Sequence, residues 1–61
     1  MPVISIQIGK LPSEKKKQLI EKFTKAASEV TSIPEQSFVV VIEEFELENI
    51  GVGGRPLSEL M

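Results

Sequence analysis

Phe38-Val39-Val40-Val41-Ile42 is the run that decides the fold. Its successive β-branched side chains pack well on a pleated surface and crowd a helix. An apolar run without polar alternation suits a strand covered on both faces, as in parallel sheets. Upstream, Val3-Ile4-Ser5-Ile6-Gln7-Ile8 alternates, with Ile4, Ile6 and Ile8 on one face and Val3, Ser5 and Gln7 on the other, the pattern of a second strand. Between the two, Leu19, Ile20, Phe23, Ala26, Ala27 and Val30 recur three and four apart, which predicts an amphipathic helix from Glu14 to about Thr31. Gly9-Lys10-Leu11-Pro12 turns the chain into that helix, with Ser13 as its expected N-cap. Ile33-Pro34-Glu35-Gln36-Ser37 ends it, because proline disfavours helical geometry in the residue before it.

Strand, helix and strand in this order predict a parallel β-α-β unit with a right-handed crossover. One helix covers one sheet face. The other face, carrying alternate residues of the valine run, needs cover from another subunit. In Ile50-Gly51-Val52-Gly53-Gly54-Arg55-Pro56 the glycines allow positive φ and predict a short hairpin. A phosphate-loop reading of that segment is weak, because it opens no helix and lacks the Lys-Ser/Thr end. The closing Leu57-Ser58-Glu59-Leu60-Met61 reads as an apolar tail packed on a neighbour. The whole forms a single α/β domain, 1–61, with neither repeat nor linker.

A domain of 61 residues buries only about 60% of the surface its unfolded chain exposes. Such domains recruit disulfides, a metal or oligomerisation. With no Cys and no His in the chain, oligomerisation is the expected device. Apolar residues make up 41% of the sequence, which favours folding over disorder. The net charge of −2 suits no partner bound through its phosphates, so nucleic acid is excluded. No apolar run approaches 18 residues, so no membrane span is expected, and the cytoplasm is the default location.

Without His or Cys, no side chain of this composition titrates near neutrality unless perturbed. A terminal amine does. Removal of Met1 would give Pro2 a free secondary amine at the very start of the first strand, held by the sheet. Pro2 is therefore the candidate acid/base catalyst. While Met1 is attached, the same nitrogen is a tertiary amide without basicity.

Other residues carry less specific signals. Lys10 could pair a substrate carboxylate or be a solvated loop lysine. Arg55, the chain's one arginine, could reach a neighbouring subunit's pocket or make a surface contact. Lys15-Lys16-Lys17 could attract anions, but reads first as a solvated helix start. Glu43, Glu44, Glu46 and Glu48 have oxygens that suit magnesium or calcium. Residues 43 and 44 face opposite ways on a strand, so the group reads as a solubilising edge and no metal is expected. Ser37 is a turn residue or a pocket hydroxyl. A Ser-His-Asp triad is excluded.

The order of these parts resembles the 4-oxalocrotonate tautomerase family: Pro2 at the start of the first strand, the Leu19-Ile20 helix core, the Pro34 turn, Val39-Val40-Val41-Ile42-Glu43-Glu44, and Ile50-Gly51-Val52-Gly53-Gly54. The resemblance covers essentially the whole chain. It implies a homohexamer, a trimer of dimers, with pockets near each Pro2 completed by neighbouring subunits. It further implies cofactor-free keto-enol tautomerisation of a small carbonyl acid, with Pro2 as general base. Family members use two arginines to hold carboxylates. Here the loop position falls at Leu11 beside Lys10, the strand position at Val39, and the pocket aromatic becomes Ile50. Valine cannot replace a guanidinium fork, so a substrate other than the family's usual dicarboxylate is expected. Val39 and Ile50 then shape the pocket, and Lys10 or Arg55 orients the anion. Alternatives are proline-dependent dehalogenation with hydration, decarboxylation, or a non-enzymatic oligomerisation or binding module.

Overall fold

Two parallel strands bracket one helix in the computed structural model, which describes residues 1–60. Strand β1 is Val3–Gly9, helix α1 is Ser13–Thr31 and strand β2 is Val39–Phe45. A small antiparallel hairpin follows, from β3 (Gly51–Val52) and β4 (Arg55–Pro56). Single 3-10 turns lie at Glu35–Ser37, Leu47–Asn49 and Leu57–Glu59. The fold is the expected α/β unit with a C-terminal hairpin.

The parallel register runs from Val3 opposite Val39 to Gly9 opposite Phe45. The second strand therefore continues beyond Ile42. Glu43 and Glu44 belong to the ladder because Gln7 and Ile8 stand opposite them, and they are not an edge that follows it. At the other end, the Val39 N–H donates to the Pro2 carbonyl at 3.0 Å.

The helix starts one residue earlier than expected. Pro12, at φ −61°, occupies the cap position, and its carbonyl accepts from the N–H groups of Lys15 and Lys16 at 3.0 and 3.2 Å. Ser13 is the first helical residue and makes no capping hydrogen bond. At the other end the chain leaves the helix through Ser32, left-handed at φ 62°. Its N–H donates to the Ser28 carbonyl at 2.9 Å, and the Ser28 hydroxyl donates to Ile33. The helix is thus closed before Pro34 bears on it.

Leu19, Phe23 and Ala27 face inward and are half-buried, whereas Ile20, Ala26 and Val30 remain exposed, Val30 at 87%. The expected apolar face is thus only partly covered. Two strands about 4.8 Å apart are narrower than a helix about 10 Å across, so the margins of the helical stripe overhang the sheet. Ile4, Ile6, Val40 and Ile42 are half-buried, whereas Val3, Val39 and Val41 lie exposed on the alternate positions. No described residue of the single chain is fully buried. The radius of gyration is 14.5 Å, against about 10.5 Å for a compact chain of this length. An extended shape with an open apolar sheet face is what a subunit built to associate should present.

In the hairpin turn, Gly53 and Gly54 both have positive φ, 61° and 84°, the type I′ arrangement whose twist matches the flanking strands. The tail folds back on this hairpin, with the Leu57 N–H donating to the Ile50 carbonyl at 2.7 Å. Leu57 is half-buried by its own chain and Leu60 is exposed. Met61, the last residue of the expected tail, lies outside the described residues.

Candidate active site

Pro2 and Lys10 stand at opposite ends of β1. Eight residues of extended chain separate them by roughly 26 Å. Because β2 runs parallel, Val39 accompanies Pro2, while Ile50 and Arg55 follow β2 and accompany Lys10. One chain therefore brings Pro2 and Val39 together at one end and Lys10, Ile50 and Arg55 toward the other. A site needing both sets requires more than one subunit.

At the Pro2 end the arrangement is simple. Pro2 is half-buried and its carbonyl is fixed by the ladder. The nearest outward side chain along β2 is Val39, 37% exposed, so along β2 this end offers hydrocarbon.

The opposite end holds the more structured chemistry. One further step of the strand register sets Lys10 opposite Glu46, and the Lys10 ammonium lies 2.5 Å from the Glu46 carboxylate. That hydrogen bond, and then the attraction between the charges, holds the Lys10 pKa above its ordinary value. Both groups are more than half exposed, so the consequence is electrostatic more than stabilising. Glu44 Oε2 accepts from the Leu11 N–H at 2.9 Å, and its Oε1 accepts from Lys16 at 2.9 Å. The Leu11 bond first, and the Lys16 bond second, hold the Glu44 carboxyl below the ordinary carboxylate value.

Glu44 thus ties the β1–α1 loop and the first helical turn to β2. The readings of Glu44 as a solubilising edge and of Lys16 as a solvated helix start are corrected here. The available signal was Glu44's parity: it shares its side of β2 with Val40 and Ile42, so its carboxylate must find donors. Arg55 stands opposite Val52 in the hairpin, with its Nε 4.0 Å from Glu59. Ser37 sits exposed in its 3-10 turn.

Beside Lys10 a cavity of about 540 Å³ opens among Ile8, Leu11, Phe45, Leu47 and Leu57. Gly9 lies in its wall, where an added Cβ would come within 3.1 Å of Leu47 Cδ2. A second hollow, bounded by Gln7, Phe45, Asn49, Ile50 and Gly51, lies nearby. Among the described residues, no group of three or more His, Cys, Asp or Glu side chains is placed to hold a metal ion. Among the same residues, no helix is long and apolar enough to cross a membrane.

The tautomerase family, described as "Tautomerase enzyme", matches residues 2–60. A probable tautomerase of Bacillus cereus is 43% identical over 61 residues, covering 97% of this chain and 98% of that protein. The 2-hydroxymuconate tautomerase of Bacillus subtilis (strain 168) is 36% identical over 62 residues, with 98% of each covered. Among solved structures, YwhB, a homologue of 4-oxalocrotonate tautomerase, superposes with a TM-score of 0.89 at 33% identity, covering 98% of this chain and 100% of that one. A heterohexamer 4-oxalocrotonate tautomerase from Chloroflexus aurantiacus J-10-fl shares the fold, with a TM-score of 0.91 at 24% identity over the whole of both chains. The chain belongs to the 4-oxalocrotonate tautomerase family. Its activity class is that of a tautomerase, an isomerase.

Proposed function

We propose that the protein is a cofactor-free tautomerase of a small carbonyl acid, in which the Pro2 amine, freed by removal of Met1, is the general base. The amine moves a proton between the carbon next to a carbonyl and another position of the conjugated system. No atom is gained or lost. Burial disfavours a charged amine, and a neighbouring cation does the same, so a pKa near working pH is within reach of such a site. The observation that carries this reading is the placement of Pro2. It sits half-buried at the head of the sheet, fixed through its carbonyl, within a family match that begins at residue 2.

The site is completed between subunits, in a homohexamer arranged as a trimer of dimers. Three features support association: the open Val3, Val39 and Val41 face, the lack of any fully buried residue among the described ones, and the free outer edges of a two-stranded sheet. An antiparallel neighbour would set its Pro2 beside the Lys10 end of this chain. Val39 and Ile50 then line the pocket with hydrocarbon, and Lys10 or Arg55 supplies an anion contact. The 2-hydroxymuconate specificity named for the Bacillus subtilis relative is not carried over, because Leu11 and Val39 stand where the family's carboxylate-holding arginines fall.

Two measurements test the base. Intact mass should fall short of the full chain by one methionine. Pro2→Ala keeps a terminal amine but changes its geometry, so enol-to-ketone turnover should fall about 10²-fold without vanishing. In the unaltered enzyme kcat/KM should rise with pH through the amine's titration, as for a base. Unchanged turnover in Pro2→Ala would exclude proline catalysis, and a profile falling through that range would point to a protonated proline acting as acid.

A further inference from the structure

We infer that this site selects the enols of monocarboxylic carbonyl acids with an apolar body over dicarboxylic enols. The inference rests on the proline-tautomerase reading and deepens it. Its structural basis is the balance of charge and hydrocarbon at the Lys10 end of the sheet.

The cation best placed to receive a second carboxylate is already engaged. Lys10 lies 2.5 Å from Glu46, so it attracts a further carboxylate less than a free ammonium would. A carboxylate approaching Lys10 also approaches Glu46, and its attraction to one is offset by repulsion from the other. The neighbouring Lys16 is likewise engaged, 2.9 Å from Glu44. The two cations nearest the cavity therefore offer a second carboxylate little net attraction. The Pro2 end cannot compensate, because Val39 stands there and carries no donor.

Hydrocarbon is abundant in the same place. The cavity beside Lys10 has a volume of about 540 Å³ and is walled by Ile8, Leu11, Phe45, Leu47 and Leu57. Gly9 helps to keep it open, since a Cβ there would press on Leu47 at 3.1 Å. A room of this size and lining stabilises an aryl or branched alkyl group by removing its surface from water. A second carboxylate placed there would lose its hydration without gaining a free cation. One anionic handle and one apolar body is the combination that the chemistry fits.

The test compares two enols with the processed, assembled enzyme: the enol of phenylpyruvate, a monocarboxylate, and 2-hydroxymuconate, a dicarboxylate. Pro2→Ala is run beside it on both. We expect kcat/KM to be about tenfold or more higher for the phenylpyruvate enol, expressed mainly in KM. Glu46→Gln should release Lys10 and narrow that ratio about threefold or more, by improving the dicarboxylate. Equal or reversed preference, with turnover still lost in Pro2→Ala, would overturn the selectivity while leaving proline catalysis standing. An unaltered ratio in Glu46→Gln would overturn the charge argument. Failure of the enzyme to exceed Pro2→Ala on either enol would overturn the proline reading, and this inference with it.

Discussion

A single carboxylate governs the geometry of the β1–α1 loop. Glu44 receives one hydrogen bond from the loop backbone at Leu11 and one from Lys16 in the first helical turn. Both favour its ionised form, so its folded pKa lies below the ordinary 4.5. A depressed carboxylate contributes stability that is present above the unfolded pKa and lost as pH falls through the folded one. Glu44→Gln should therefore lower the melting temperature at pH 7 and flatten the decline below about pH 4.5, read from thermal melts at fixed protomer concentration. Equal acid limbs in the two proteins would show that the Leu11 and Lys16 bonds do not set this titration. The residue scale is where the sequence was least legible. Pro2 could be singled out because a terminal amine is visible in one dimension. The Glu44 and Glu46 partnerships could not, since they depend on a register that places residues 28 to 36 positions apart side by side.

At the scale of elements, the two strands, the helix and the hairpin were legible because each has its own periodicity or turn chemistry. Their ends were not. The helix ends at Thr31, about where its periodicity stops, but what closes it is Ser32 in a left-handed conformation that the sequence does not advertise with glycine, and not the Ile33-Pro34 step. A non-glycine residue there costs about 1 kcal/mol relative to glycine through crowding at its Cβ. The Ser32 N–H bond to Ser28 is a backbone interaction, so replacement of the side chain preserves it. Ser32→Gly should stabilise the folded protein by about 0.5 kcal/mol, the rest being offset by the greater freedom of glycine in the unfolded chain. Denaturant titration checks it, and a loss of stability would mean that the Ser32 side chain makes a stabilising contact in the assembly. The helix's apolar stripe was also overread. Ile20, Ala26 and Val30 have the right spacing but overhang a sheet only two strands wide. Periodicity reports which residues share a face, and the width of the opposing layer decides how many of them it covers.

For the whole molecule, the parallel pairing of β1 and β2 has a consequence that can be tested by mixing. Pro2 and Val39 lie at one end of the sheet; Lys10 lies at the other, roughly 26 Å away, and the Ile50 hollow opens toward that end beside Gln7, roughly 17 Å from Pro2. No rearrangement short of unfolding brings them together in one chain. If the proposed site is completed by a neighbour, a chain lacking the amine and a chain damaged at the far end are defective in different halves of it. Pro2→Ala supplies the first and Ile50→Asp the second, the latter placing a charge against the hydrocarbon wall. Each alone should form oligomers with little turnover. Unfolded together in equal amounts and refolded, they should assemble at random, and about one site in four should join an intact Pro2 to an intact far end. Turnover should return to about one quarter of the unaltered enzyme's value, while each variant refolded by itself stays low. A site contained in one chain would give no recovery, because every chain in the mixture carries one defect. The same mixture analysed by sedimentation fixes the assembly, since six chains of 6.7 kDa make a particle of roughly 40 kDa. Recovery of activity in a smaller particle would keep the shared site and replace the hexamer with a simpler antiparallel assembly.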